Sequence, residues 1–314
     1  MKKYDIVALG EILIDYTPMK KSESGMEVFE QNAGGAPANV LACASKFGAK
    51  TAFIGKIGTD AQGEFLRKTL VNANIEDKGL ISDKEYFTTL AFVSLSETGE
   101  RSFSFSRKHS ADINLSKDEV DISLLENTKI FHFGSLSLTH DKSREATFFA
   151  VKKAKESGAI ISYDPNYRKL LWDNEETASE TMKSVLKYVD ILKISDEETL
   201  LITGEKEPEK AIKILLGQGI PVVAVTLGAE GVLIGNKEGV VKVSSKKVLN
   251  PVDTTGAGDT FWGSILFKIA NCEKDNNEIL LSQLEEFSKF ANKAAGICVQ
   301  RRGAIASMPS LDEI

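Results

Sequence analysis

Short apolar runs alternate along this chain with longer segments whose apolar residues return every three or four positions. The runs Tyr4 to Leu9, Thr51 to Ile57, Lys129 to Phe133, Ala159 to Tyr163, Asp190 to Ile194 and Pro221 to Leu227 are β-rich and predict strands. The segments Pro37 to Phe47, Glu64 to Asn72, Lys142 to Glu156, Glu175 to Tyr188 and Lys206 to Leu216 predict helices. Local punctuation agrees. Pro37 falls in a first helical turn, Gly48 and Gly158 lie just past helix ends, and Asp164-Pro165 closes a strand. Strands alternating with helices point to an α/β fold, a mostly parallel sheet covered by helices.

Two stretches break the rhythm. Ile12 to Gln31 alternates through Leu13, Asp15 and Thr17, passes a polar loop and resumes at Val28-Phe29. Thr88 to Phe105 alternates around Glu97-Thr98-Gly99-Glu100 and reads as a hairpin, with Phe103 and Phe105 on one face and Ser104 and Ser106 on the other. These stretches, about residues 12–31 and 88–106, predict a small antiparallel β-sheet. It would act as a lid over the C-terminal ends of the parallel strands, where open α/β sheets bind ligands. The same pattern also suits an edge sheet or a dimer contact. No repeat, low-complexity tract or linker divides residues 1–314, so a single domain is expected.

Composition narrows the classes. Hydrophobic residues make up 42% of the chain and the formal net charge is −6, which favours neither nucleic acid nor an anionic membrane as partner. No run of about 18 apolar residues predicts a membrane span. Cys43, Cys272 and Cys298 form no Cys-x-x-Cys pair, so a reducing cytoplasmic location is expected.

The densest chemistry lies in Asp253-Thr254-Thr255-Gly256-Ala257-Gly258-Asp259-Thr260-Phe261, between an apolar stretch and a helix-like one. Two glycines let the backbone turn sharply, and a helix start offers unpaired N–H groups and a partial positive charge to an anion. A carboxylate such as Asp259 inside that turn is better suited to taking a proton than to holding phosphate. An acid beside an anion cradle is what phosphoryl transfer to an alcohol requires. Gly-x-Gly alone also reads as a plain tight turn, with Asp259 a first-turn acid complementing the helix dipole.

Other motifs also admit two readings. Gly34-Gly35 before Pro37 and Asn39 reads as close backbone approach or as a turn before a helix. Asp164-Pro165-Asn166-Tyr167-Arg168 ends a strand, where α/β sites lie. Thr226-Leu227-Gly228-Ala229-Glu230-Gly231 offers small residues near a nucleotide. Gly55-Lys56 lacks the rest of a P-loop, no dinucleotide fingerprint follows the first strand, and His109, His132 and His140 show no zinc spacing.

The string Asp253 to Phe261 resembles the C-terminal signature of the ribokinase/pfkB family of carbohydrate kinases, and the motifs appear in family order from Val7 to about Met308. The strings Lys129 to Leu138 and Ile161 to Asn166 are most similar to fructokinases. The resemblance implies a ribokinase-like fold and ATP-dependent phosphorylation of D-fructose to fructose 6-phosphate. It makes Asp259 the catalytic base and the amides of Gly256, Ala257 and Gly258 the anion hole. It places Asp15, Gly34, Gly35, Asn39, Arg107 and Arg168 on the sugar. Asn166, Lys193, Ser195, Thr226, Gly228, Gly231 and Asn292 fall to ATP. Glu198 is implied to organise hydrated Mg²⁺, although Ser195 stands where many relatives carry Asn. Asp253 and Thr255, near Gly303 and Ser307, are implied to form a monovalent cation (K⁺) site. A homodimer through the lid follows from the same resemblance. The alternatives are a 2-keto-3-deoxygluconate kinase or another sugar kinase, a non-catalytic sugar sensor and, with less support, a nicotinamide enzyme.

Overall fold

The computed structural model describes residues 2–95, 101–272 and 278–314. The turn read at Glu97 to Glu100 lies outside the described residues, as does the side chain of Phe103. The first half of the chain supplies β1 (Tyr4–Leu9), β2 (Leu13–Pro18), β3 (Phe29–Gly34), α1 (Ala36–Lys46), β4 (Thr51–Gly58), α2 (Ala61–Asn72), β5 (Ile75–Asp83), β6 (Leu90–Leu95), β7 (Arg101–Ser106), α3 (Ile122–Glu126), β8 (Thr128–Gly134) and α4 (Asp141–Glu156). The second half adds β9 (Ile160–Asp164), α5 (Glu175–Ser184), β10 (Ile191–Ser195), α6 (Thr199–Thr203), α7 (Pro208–Gly217), β11 (Val222–Thr226), β12 (Gly231–Asn236), β13 (Gly239–Ser244), α8 (Ala257–Ala270) and α9 (Leu281–Cys298).

The main sheet has nine strands in the order β13-β12-β11-β10-β9-β8-β1-β4-β5. It is parallel from β11 to β5, and β12 and β13 continue the other edge antiparallel. Side chains alternate across it. Ile6 and Ala8 of β1 join one apolar cluster with α1, α8 and α9, whereas Val7 and Leu9 join a second with α4 and α7. The chain moves outward from β1 to β4 and β5 on one side, then from β8 toward β11 on the other. The reversal lies between β1 and β8, and residues just past their C-terminal ends border the crevice that such a reversal opens.

The smaller sheet has the order β3-β2-β6-β7. Its pairs β2–β3 and β6–β7 are antiparallel, as the alternation suggested, but β2 and β6 run parallel. The chain completes α1, β4, α2 and β5 before β6 returns beside β2, and a crossover of that length delivers a parallel strand. Register fixes the faces. Asp15 pairs with Ala91 and Ala91 with Phe105, so these three point the same way, and Tyr16 and Phe92 point the other way. No helix among the described residues is long and apolar enough to cross a membrane.

Helices α1 and α8 pack unusually closely. A β-carbon at Gly263 would lie 2.6 Å from the Val40 carbonyl oxygen and 2.8 Å from Cys43 Cβ. Gly263 lies one turn beyond Asp259, and Cys43 one turn beyond Asn39. The close crossing at glycine therefore brings Asn39 within reach of Asp259 one turn earlier.

Candidate active site

Gly256 caps α8 at φ 77°, a left-handed conformation that glycine adopts without a Cβ penalty. It turns the chain so that Asp259, in the first turn of the helix, faces inward with 7% of its surface exposed. Asn39 Nδ2 donates to Asp259 Oδ2 at 2.8 Å. Burial raises the Asp259 pKa above the ordinary carboxylate range, against the Asn39 hydrogen bond and the charges of Lys193 and Arg168. A proton acceptor held in one orientation with enhanced basicity is the result.

Asp259 opens onto a cleft of about 350 Å³ between the main and smaller sheets. Glu11, past the end of β1, and Leu136, past the end of β8, line it at the topological reversal. The smaller sheet contributes Leu13, Asp15 and Phe105; Gly35 and Asn39 come from the start of α1, and Asn166, Arg168 and Lys193 from the turns and strands opposite. Burial lifts Asp15 to about 6, opposed by Arg168 and reinforced by Asp259 and Asp253. The Asp15 carboxylate rests against bare backbone at Gly34, where a β-carbon would force it to move. Gly35, at φ 111°, brings the backbone against the Glu11 carbonyl, and Glu11 Oε1 accepts from Ala36 N at 3.0 Å.

A second cleft, about 380 Å³, meets the first at Thr254 and Gly258, which line both. Thr226, Gly228, Gly231, Ala257, Phe261 and Asn292 are among its walls. Near the junction, Ala257 N–H leans on the Thr254 carbonyl through a long 3.3 Å bond that an anion can replace. A β-carbon at Gly258 would stand 3.4 Å from Lys193 Nζ, so an ammonium group borders the helix start. Lys193 Nζ also donates to Asp164 Oδ2 at 2.7 Å, with both side chains buried. Burial alone would lower the lysine pKa, but Asp164, Glu198 and Asp259 outweigh it and keep the ammonium charged.

The sequence of this chain matches the pfkB family carbohydrate kinases over residues 3–311. The chain belongs to that family. It is 39% identical to Fructokinase-2 of Zea mays over 312 residues, 98% of this chain and 91% of that protein. The crystal structure of fructokinase with bound ATP from Xylella fastidiosa superimposes at a TM-score of 0.91 with 31% identity, over 100% of this chain and 97% of that one. A double mutant of fructokinase from Vibrio cholerae O395, in its fructose, ADP and potassium ion bound form, gives 0.87 with 30% identity, over 99% and 97%. The fold is ribokinase-like, and the kinase is an ATP-dependent sugar kinase.

Not every residue that the resemblance assigned reaches the kinase's cleft wall. Arg107 is buried and fully engaged: Nε and Nη2 pair with Asp112 Oδ2 at 2.8 Å, Nη1 donates to Thr139 Oγ1, and Nη2 also donates to the Leu136 carbonyl. It anchors the end of β7 to the turn bearing Leu136 and does not line the cleft. Ser195 and Glu198 also stand back from it. Glu198 Oε2 accepts from Ser195 N–H and Oγ–H, and Oε1 accepts from Tyr167 N–H. Asn166 holds a left-handed conformation at φ 47°, which fixes the turn after β9. Glu11, Leu13, Phe105, Thr254 and Leu136 also line the clefts, although the resemblance assigned them no role. Position just past a strand end was the available signal for Glu11 and Leu136.

Metal sites follow from the same inventory. Among the described residues no group of three or more His, Cys, Asp or Glu side chains could hold a metal. Buried Asp164 Oδ1 lacks a hydrogen-bond partner, and Glu198 lies beside it in charge. That sparse donor set fits Mg²⁺, which keeps most of its water shell. Asp253 Oδ1 accepts from Thr255 N–H and Oγ1–H, and Oδ2 from Gly303 N–H at 3.2 Å. Asp253, Thr255 and Gly303 also border a small cavity of about 30 Å³.

Proposed function

We propose that this kinase transfers the γ-phosphoryl group of ATP to the 6-hydroxyl of D-fructose, with Asp259 as general base. The carrying observation is the placement of Asp259 on one of two adjoining clefts that share Thr254 and Gly258. The hydroxyl proton passes to the Asp259 carboxylate as the oxygen attacks the γ-phosphorus. The bond to the β,γ-bridging oxygen breaks, and ADP leaves. Asn39 keeps the carboxylate aimed. The amides of Gly256, Ala257 and Gly258, with Lys193 beside them, face the charge that spreads over the transferring group.

Asp15, Gly35 and Asn39 hold the sugar in this reading, with Arg168 reaching over the cleft mouth and Gly34 and Arg107 supporting from behind. The nucleotide lies along Thr226, Gly228, Gly231 and Asn292, with Asn166 at the phosphate end. Ser195 fixes Glu198, and Glu198 with Asp164 would hold hydrated Mg²⁺, which supplies charge neutralisation to the phosphates when bound. The Asp253–Thr255–Gly303 turn is the K⁺ site. The smaller sheet is a lid on a single domain, and its closure excludes water from the phosphoryl group. Its outer face carries Tyr16, Phe29 and Phe92 in mutual ring contact, which suits a second copy in a homodimer. Free thiols at Cys43, Cys272 and Cys298 suit the cytoplasm.

A sugar acid is disfavoured as acceptor. Arg107 is occupied by Asp112 and Lys193 by Asp164, so a carboxylate entering the cleft would meet Asp15, Glu11 and Asp259 against Arg168 as the one lining cation outside an ion pair among the described residues. The test is a panel of fructose, other neutral sugars and 2-keto-3-deoxygluconate in a coupled ADP assay. Fructose is expected to give the highest kcat/KM. Preference for the sugar acid would overturn this reading, and binding without ADP formation would indicate a sensor.

A further inference from the structure

A cavity of about 790 Å³ lies outside both clefts. It runs between the end of β13 with the irregular segment 245–250 and one face of α9, on which Lys289, Asn292, Lys293, Gly296 and Ile297 recur at helical spacing. Lys246, Lys247, Lys289 and Lys293 line it, and among the described residues no carboxylate does. Lys289 is paired with Glu285, whereas Lys246, Lys247 and Lys293 form no ion pair among the described residues. Four ammonium groups around one groove are conspicuous on a chain of net charge −6. The groove also has an apolar ledge, on which Leu249 is 82% exposed, and amide groups from Asn250 and Gln300. Apolar ledge, amides and clustered cations together fit an amphipathic anion, and the volume lies within the usual range of small-molecule sites, about 300–1,000 Å³.

Lys246, Val248, Asn292 and Gly296 line both this groove and the nucleotide cleft. We propose that the groove is a second anion site that takes a nucleoside polyphosphate and acts on donor binding through this shared wall. The phosphates lie on Lys247, Lys289 and Lys293, and the base lies on the Val248–Leu249 ledge. A ligand that contacts Lys246 and Val248 of segment 245–250 acts on the wall of the neighbouring cleft, and by linkage the donor changes the affinity of the groove by the same factor. The inference rests on the nucleotide-cleft assignment, not on the identity of the sugar.

The test uses the full-length enzyme and its Lys247→Glu/Lys293→Glu variant. Both substitutions are at exposed positions outside the two clefts. Calorimetric titration with ADP is expected to give two sites in the parent and one in the variant, with KM for ATP at low nucleotide unchanged. At high nucleotide the parent's rate should depart from a simple hyperbola, and the variant's should not. Titrations with tripolyphosphate and with fructose 6-phosphate separate the sources. Competition by tripolyphosphate for the weaker ADP site supports the lysine contact. Stronger binding of fructose 6-phosphate than of ADP at that site overturns the nucleotide assignment. A single ADP site in the parent, or two unchanged sites in the variant, overturns the proposal. One site that also fails to support turnover would instead indict the nucleotide cleft.

Discussion

Replacing Lys193 by Met takes the ammonium away from Asp164 while keeping most of the side-chain volume. The two groups are 2.7 Å apart, with side-chain exposures of 7% and 1%, and the second oxygen of Asp164 has no hydrogen-bond partner. The substitution leaves a buried carboxylate without its cation. Breaking a pair of this kind costs about 3–5 kcal/mol, far above the value of an exposed pair. Equilibrium urea unfolding, read by near-ultraviolet circular dichroism, measures it. The cost must also depend on pH. Burial drives the unpaired Asp164 carboxyl to a folded-state pKa above its unfolded value of about 3.9, so the folded form holds the proton more tightly. Destabilisation is therefore largest above the folded pKa and fades as pH falls toward the unfolded one. The double variant Lys193→Met/Asp164→Leu removes both charges and should recover most of the stability at neutral pH. A loss below about 1 kcal/mol for Lys193→Met, or a double variant less stable than the single, would refute a buried, coupled pair.

Asn39→Ala deletes the 2.8 Å hydrogen bond that aims Asp259, and a loss of about 1.5 kcal/mol in the transition state lowers kcat roughly tenfold with little change in KM for ATP. The pH–rate profile should fall on the acid side as Asp259 takes up its proton, at a pH above the ordinary carboxylate range because burial raises that pKa. The KM for fructose should rise in the same direction as Asp15 protonates near about 6, and an acid limb confined to pH 4 would contradict both. Gly35→Ala forces a β-carbon toward the Glu11 carbonyl at φ 111° and should raise the KM for fructose, with backbone strain of about 1–3 kcal/mol visible in unfolding. Dialysis into K⁺-free buffer should lower kcat if the Asp253 turn holds the ion, and Asp253→Ala should abolish the difference between the two buffers.

The alternation of runs was enough to place the main-sheet strands from β1 to β11 except β5, because those strands are buried on both faces and read as continuous apolar stretches. Strand β5, with Glu76, Asp77 and Lys78 near its start, carries no such stretch. The parallel pairing of β2 with β6 was illegible for a different reason. Alternation reports which face a residue takes, not the direction of its neighbour. In the site, Asp259 and the glycine turn were readable because phosphate chemistry demands a helix start at glycine. Arg107 was placed on the sugar because its motif suggested so, whereas its position behind the wall depends on Asp112 and Thr139, five and thirty-two residues away. Glu11, Phe105 and Leu136 come together only when β1, β7 and β8 are assembled. The basic groove is not legible in the sequence because its lysines are split between segment 245–250 and α9.

Asp259→Asn is the most direct test of the central claim. The amide keeps the shape of the carboxylate but cannot take up the sugar's proton. Calorimetry of ATP and fructose binding, together with coupled turnover of both substrates, is the measurement. Near-normal affinities with kcat lowered by about a hundredfold or more are expected. A variant that turns over fructose at close to the parent rate would contradict Asp259 as the group that receives the proton.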